Sequence, residues 1–291
     1  MISTYLDRLA ARSASVGNVL CLGIDPDSSA LPDGYSRDLP GVERFATLIL
    51  EAAGPFAAAV KPNLAFFESF GSPGMAALER LRARVPAGLP VLADAKRGDI
   101  RTTAAHQATA LFDILGADAV TINPYVGGEG LAPFLDRVDR FAYVLCRTSN
   151  PGAGELQDLV VEPDPSSDAP SEPLYLRVAR RAATWGPGGT VGVVVGATAP
   201  AELRAIRSLA PDLAFLVPGI GAQGGDLEAV LETGPATAGP GVGRPGRGLL
   251  VSVSRGIAGA ALDTTAGALT TIEARLERAA RDWAARLPVL P

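Results

Sequence analysis

Histidine and cysteine, the side chains most often recruited as bases, nucleophiles or metal ligands, are nearly missing: the 291 residues contain one His and two Cys. His106 falls in a stretch patterned as helix, with no carboxylate or thiol partner. That leaves it a surface or packing role rather than a place in a triad or a zinc centre. Ser149 and Ser254 therefore lack a base, and neither sits in a Gly-x-Ser-x-Gly elbow. Cys21 and Cys146 lie inside apolar runs without ligand spacing, which suits core thiols in a reducing compartment. An excess of positive charge is also missing. With 26 Lys and Arg against 31 Asp and Glu, the net charge of -5 gives no footprint for nucleic acid or an anionic membrane, so any anion must be held by a local site. No apolar run reaches membrane-spanning length, and residues 1–9 lack the basic stretch and apolar core of a leader. A cytoplasmic protein without membrane or nucleic-acid partners is expected.

What is present is a core-forming composition, 47% hydrophobic and 20% charged, organised as a regular alternation. Eight short apolar runs rich in β-branched residues occur at 19–25, 58–63, 91–96, 119–123, 143–148, 191–195, 214–218 and 249–253. Most are apolar throughout rather than alternating, as in parallel strands covered on both faces. Amphipathic stretches fall between them at 42–53, 74–84, 102–115, 131–135, 174–185, 199–209 and 227–231, with another at 270–286. Eight such units predict an α/β fold, a (β/α)8 TIM barrel formed as a single domain over 1–291; a doubly wound open sheet is the alternative. Two stretches break the pattern, an acidic Pro/Ser-rich one at 152–173 and a Gly/Pro-rich one at 234–248. Both read as loop insertions on the rim that follows strand ends. The first is expected to be solvated. The second carries Arg244 and Arg247, which could close over an anion, or is a flexible linker.

In such a barrel the carboxyl ends of the strands converge, so the polar residues closing each run form a candidate site. These are Asp25, then Lys61-Pro62-Asn63, then Asp94-Ala95-Lys96-Arg97-Gly98-Asp99, then Asn123-Pro124-Tyr125 and Thr148-Ser149-Asn150. Runs seven and eight close with Pro218-Gly219-Ile220-Gly221-Ala222-Gln223-Gly224-Gly225 and Ser254-Arg255-Gly256. Backbone N–H groups of Gly-rich turns together with the Arg255 fork suit a phosphate monoester. Phe66, Phe67 and Phe70 read as packing, and Asn63 as a cap on the turn after the second strand.

The central charges carry the chemistry. Asp94 and Lys96, two apart on a strand, point the same way, and charges so placed are rarely buried without a partner or a task. Lys61 and Lys96 face Asp25, Asp94 and Asp99, so both lysines should stay protonated. A protonated lysine is a poor Schiff-base nucleophile but a good proton donor to a developing carbanion. An ionised Asp94 beside a substrate carboxylate would be repulsive until carbon dioxide leaves. Decarboxylation uses both features.

The Asp94-x-Lys96-x-x-Asp99-Ile100 run, with Lys61-Pro62-Asn63 before it and Ser149, Pro218-Gly219 and Arg255-Gly256 after it, resembles orotidine 5'-phosphate decarboxylases. The Lys-Arg-Gly-Asp-Ile and Thr-Ser-Asn-Pro-Gly stretches are similar to the type 2 branch of that family. The resemblance implies conversion of orotidine monophosphate to uridine monophosphate and carbon dioxide in de novo pyrimidine synthesis, without metal or organic cofactor. It assigns Lys61, Asp94, Lys96 and Asp99 to a charged network in which Lys96 protonates the pyrimidine C6 and Asp94 faces the departing carboxylate. It further implies that Asp25 and Lys61 meet the ribose, and that Ser149 reads the pyrimidine amide edge. Gln223, Arg255 and Gly256 would contact the phosphate, and Pro218 would line the substrate site. Asp99, Ile100 and Thr103 would cross into the neighbouring site of a homodimer.

Two other functions fit the same pattern. A sugar-phosphate decarboxylase or aldolase of the same superfamily would stabilise an enediolate on magnesium, but would need further acids where Lys61 stands, with Glu68 a few residues on. A non-catalytic phosphate-ligand binding barrel would bind a nucleotide without turning it over.

Overall fold

Residues 3–163, 170–221, 224–263 and 271–289 are described by a computed structural model. All eight expected strands form: β1 Leu20–Ile24, β2 Ala59–Pro62, β3 Leu92–Arg97, β4 Ala119–Ile122, β5 Phe141–Arg147, β6 Val191–Val195, β7 Ala214–Val217 and β8 Leu249–Val253. Every pairing among them is parallel, in the order 2-1-8-7-6-5-4-3. Parallel bridges Val60–Val91 and Asn63–Asp94 bring β2 to β3. The ring is thereby joined in a (β/α)8 barrel, and the open-sheet alternative is set aside. β1, β6, β7 and β8 are buried along their whole length, which is why their sequences are almost uninterruptedly apolar. Helices such as Leu39–Ala53, Pro200–Leu209 and Ile272–Arg286 cover the outside, and Asp38 starts the first of these by accepting the Gly41 N–H at 3.1 Å.

One element was not anticipated. Residues Tyr5–Val16 form a helix, α1, started by a capping box: Thr4 Oγ1 accepts the Asp7 N–H at 3.2 Å and Asp7 Oδ2 accepts the Thr4 N–H at 3.0 Å. Its buried Tyr5, Leu6 and Leu9 join Phe141, Tyr143 and the inward-facing residues of the strands in one cluster. The Tyr5 ring lies 4.9 Å from that of Phe141 and 6.2 Å from that of Tyr143. Since Phe141 begins β5, α1 stoppers the N-terminal mouth of the barrel.

Both irregular segments differ from expectation. Residues 234–248 follow the helix Leu227–Thr233 and lead into the start of β8, so they lie at the N-terminal end, opposite the rim where an anion was anticipated. Arg244 there binds Asp7 of α1 at 2.6 Å and ties the segment to the stopper. The described part of 152–173 is not simply a solvated loop. A helical turn Gly154–Gln157 and a two-residue antiparallel ladder, Val160–Val161 with Glu172–Pro173, fold it back beside β5. Arg147 pairs with Asp158 at 3.0 Å, and the buried Glu172 carboxylate is held by Arg177 and Arg180. Elsewhere Cys21, Cys146 and Phe67 are buried, His106 is exposed, and Asn63 Oδ1 accepts the Ala65 N–H at 3.2 Å.

Candidate active site

The C-terminal mouth is organised by an irregularity in β3. Ala93 is opposite Val120 and Arg97 is opposite Ile122, so three residues of β3, Asp94 to Lys96, stand against the single residue Thr121 of β4. Within this bulge Lys96 adopts φ +49°, a left-handed conformation uncommon outside glycine. Asp94 is at the centre. Its Oδ2 accepts from Lys61 Nζ at 2.7 Å, and its Oδ1 accepts from Lys96 Nζ at 2.5 Å and from the Thr121 hydroxyl at 2.9 Å. Lys61, at the end of β2, is only 5% exposed, whereas the Lys96 side chain is about half exposed and reaches into the mouth.

Burial works against ionisation at this centre and is overcome by the neighbours. Desolvation would raise the Asp94 pKa, but Lys61 and Lys96 outweigh it and hold the carboxyl well below the usual carboxylate range. Desolvation likewise opposes the Lys61 charge, yet Asp94 and then Asp25 push its pKa above that of an ordinary lysine. Asp94 and Lys61 are therefore both charged across the physiological range, as the sequence suggests. Arg97, the next residue, points away and pairs with Glu68.

Two cavities meet at Lys61, Asp94, Ser149 and Pro218. The first, about 190 Å³, runs over the ends of β1, β7 and β8 and is lined by Asp25, Gly219, Ile220, Ser252, Ser254, Arg255 and Gly256 as well. It contains two polar atoms that are buried without a hydrogen-bond partner, Asp25 Oδ1 and Ser254 Oγ. Gly219, at φ +100°, makes a turn there that a side chain would strain. The second cavity, about 410 Å³, has an apolar floor of Leu145, Val194 and Leu216 and a polar edge of Thr148, Ser149, Asn150 and Gln157, with Lys96 and Thr121 on its wall. A cavity with anion donors at one end, a flat apolar floor at the other and charges between fits a phosphorylated ligand with a planar polar ring.

The expected residues Asp25, Lys61, Asp94, Lys96, Ser149, Pro218, Arg255 and Gly256 are thus gathered around one space. Asp99, Ile100 and Thr103 are not brought into it by their own chain. Asp99 Oδ1 accepts the Ile100 N–H at 2.7 Å, Ile100 is 66% exposed, and Thr103 lies on the outer surface of the following helix. Gln223 lies outside the described residues. Among the described residues, no cluster of three or more His, Cys, Asp or Glu side chains is placed to hold a metal ion.

Four features escaped sequence reasoning. The floor residues sit inside apolar runs, and only the inward half of the period-2 pattern marks them. Gln157 comes from the segment expected to be solvated, yet its Oε1 accepts the Thr148 N–H at 2.8 Å and its Nε2 donates to Thr148 Oγ1 at 2.9 Å. Gly196, just past β6, leaves room for Ser149: a Cβ there would lie 2.8 Å from the Ser149 Cα. Thr121 gave no signal at all.

Residues 18–269 match the family model described as orotidine 5'-phosphate decarboxylase / HUMPS family. The chain is 47% identical over 257 residues to an orotidine 5'-phosphate decarboxylase of Thermomicrobium roseum, covering 87% of this chain and 86% of that one. It is 48% identical over 257 residues to the enzyme of that name from Haloarcula marismortui, again covering 87% and 86%. The solved structure of Leishmania donovani OMP decarboxylase superposes with a TM-score of 0.78 at 39% identity, covering 96% of this chain and 95% of that chain. Among the described residues, no helix is long and apolar enough to cross a membrane.

Proposed function

The chain belongs to the orotidine 5'-phosphate decarboxylase / HUMPS family, and from that membership and the charges at the barrel mouth we propose that it is a carboxy-lyase of pyrimidine biosynthesis. It converts orotidine 5'-monophosphate to uridine 5'-monophosphate and carbon dioxide. The observation that carries this reading is Asp94 held ionised between Lys61 and Lys96 at the junction of the two cavities. Arg255, Gly256 and Pro218 surround the phosphate, Gln223 being assigned to it on the sequence resemblance alone, and the unpartnered Asp25 Oδ1 accepts a ribose hydroxyl. The pyrimidine lies on Leu145, Val194 and Leu216 with its amide edge at Ser149.

This pose sets the substrate carboxylate against Asp94, a repulsion relieved only as the C6–carboxylate bond breaks. The electron pair of that bond stays on C6, carbon dioxide departs, and the Lys96 ammonium gives C6 its proton; the resulting amine regains a proton from water. Lys61 keeps Asp94 charged throughout. The active unit is a cytoplasmic homodimer in which Asp99, Ile100 and Thr103 complete the partner's site.

The reaction is tested by following pyrimidine absorbance when orotidine 5'-monophosphate meets the protein in chelator. Steady loss of substrate absorbance is expected. An inert protein, or one that instead requires magnesium and turns over a sugar phosphate, contradicts the proposal. The dimer is tested by mixing Lys96→Ala with Asp99→Ala, each inactive alone. Random pairing should rebuild about one quarter of the sites, whereas silent mixtures would place Asp99 outside the neighbouring site.

A further inference from the structure

We infer that Thr121 is a positioning residue for the reaction: its hydroxyl holds the bulged end of β3 in the backbone path that brings Asp94 and Lys96 to one point. The inference rests on the proposed role of those two residues. Thr121 is the only β4 residue opposite the three-residue excursion of β3, and it is 2% exposed. Its Oγ1 accepts the backbone N–H groups of Ala95 and Lys96, each at 3.0 Å, and donates to Asp94 Oδ1 at 2.9 Å. A hydroxyl has two acceptor sites and one proton, so every hydrogen bond available to this one is committed to the bulge.

Those bonds replace the ladder that the register shift interrupts. Side chains two apart on a regular strand share a face, but they do not converge on a single oxygen; here the left-handed turn at Lys96 bends its side chain back to Asp94 Oδ1. A lysine keeps φ +49° only where its surroundings over-determine it, and the Thr121 hydroxyl fixes the N–H on the near side of that very dihedral. Without the hydroxyl, two backbone donors lose their acceptor, and the bulge relaxes toward ordinary extended backbone. Lys96 then points elsewhere.

Thr121→Ala and Thr121→Ser differ from each other only in that hydroxyl, and Thr121→Val keeps the side chain's shape without it. In the full chain, Thr121→Ala and Thr121→Val should each lower kcat for orotidine 5'-monophosphate about a hundredfold, as for an ångström-scale misplacement of a reacting group. KM should change less than about threefold, and Thr121→Ser should restore kcat to within about threefold of wild type. Equal losses in Ser and Val, or a Val variant as fast as wild type, would overturn the role. A crystal structure of the Ala variant supplies a readout independent of turnover. Lys96 is expected to leave positive φ and separate from Asp94, and an unchanged bulge contradicts the inference even if the wild-type protein proves inert on orotidine 5'-monophosphate. An inert wild type with a relaxed bulge in the variant would instead defeat only the proposed reaction.

Discussion

The two mouths of the barrel are closed in opposite ways. At the N-terminal end α1 presses Tyr5, Leu6 and Leu9 into an apolar, aromatic cluster in which the Tyr5 and Tyr143 hydroxyls approach to 3.3 Å. At the C-terminal end the same barrel is closed by Lys61, Asp94 and Lys96, with a bulge, a left-handed lysine and two unpartnered buried oxygens. The lower arrangement is what hydrophobic burial produces when stability alone matters. The upper one retains charge and strain against desolvation, the pattern of a surface built to meet a ligand.

The contrast is sharpest under truncation. Asp94→Ala leaves the buried Lys61 ammonium without its partner and beside a second cation, so unfolding by urea should show a loss of about 3–5 kcal/mol together with loss of turnover. Tyr5→Ala should cost about 3–5 kcal/mol through the cavity it leaves, with kcat and KM of the folded enzyme unchanged. If Tyr5→Ala altered KM, the stopper would be coupled to the site and the comparison would fail.

Smaller effects refine it. Gln157→Ala removes the amide that clasps Thr148, and steady-state kinetics should show KM raised about fivefold, the value of roughly one hydrogen bond, with the melting temperature little changed. Acid should act on both ends, since Asp94 and Asp7 are each held below the ordinary carboxylate range. Asp7, held at about 2 by bonds from Thr4 and Arg244, has a folded pKa below its unfolded one. Its contribution is therefore complete above about pH 4 and disappears as pH falls toward 2. Because its side chain is 42% exposed the effect is slight, and Asp7→Asn should flatten that part of the stability profile in chemical denaturation. For Lys61 the sign is reversed: its raised pKa gives stability that is complete below about pH 10 and lost only as pH rises further.

Legibility followed the same division. The strands and most of the site could be read because a polar residue closing an apolar run is a local signal, as at Lys61, Asp94 and Ser149. The signal for the stopper helix is equally local, with Thr4 three residues before Asp7 and apolar side chains at Tyr5, Leu6 and Leu9, but nothing in those residues tells that the helix closes a barrel mouth. The composition of 234–248 alone points to the rim after β7, whereas the helix Leu227–Thr233 that precedes it carries the chain to the opposite end of the barrel. Thr121 could not be read at all: its position is defined by a register shift between two strands, and nothing in Val120-Thr121-Ile122 announces which residue of β3 it will face.

Turnover depends on Lys96 as proton donor, and the most direct measurement pairs two numbers on the Lys96→Ala variant: kcat with orotidine 5'-monophosphate and the Kd for uridine 5'-monophosphate. A fall in kcat of at least about a hundredfold with Kd within about threefold of wild type is predicted, because C6 of the product already carries the proton that the ammonium delivers. Undiminished turnover, or a loss explained entirely by weaker product binding, would contradict it.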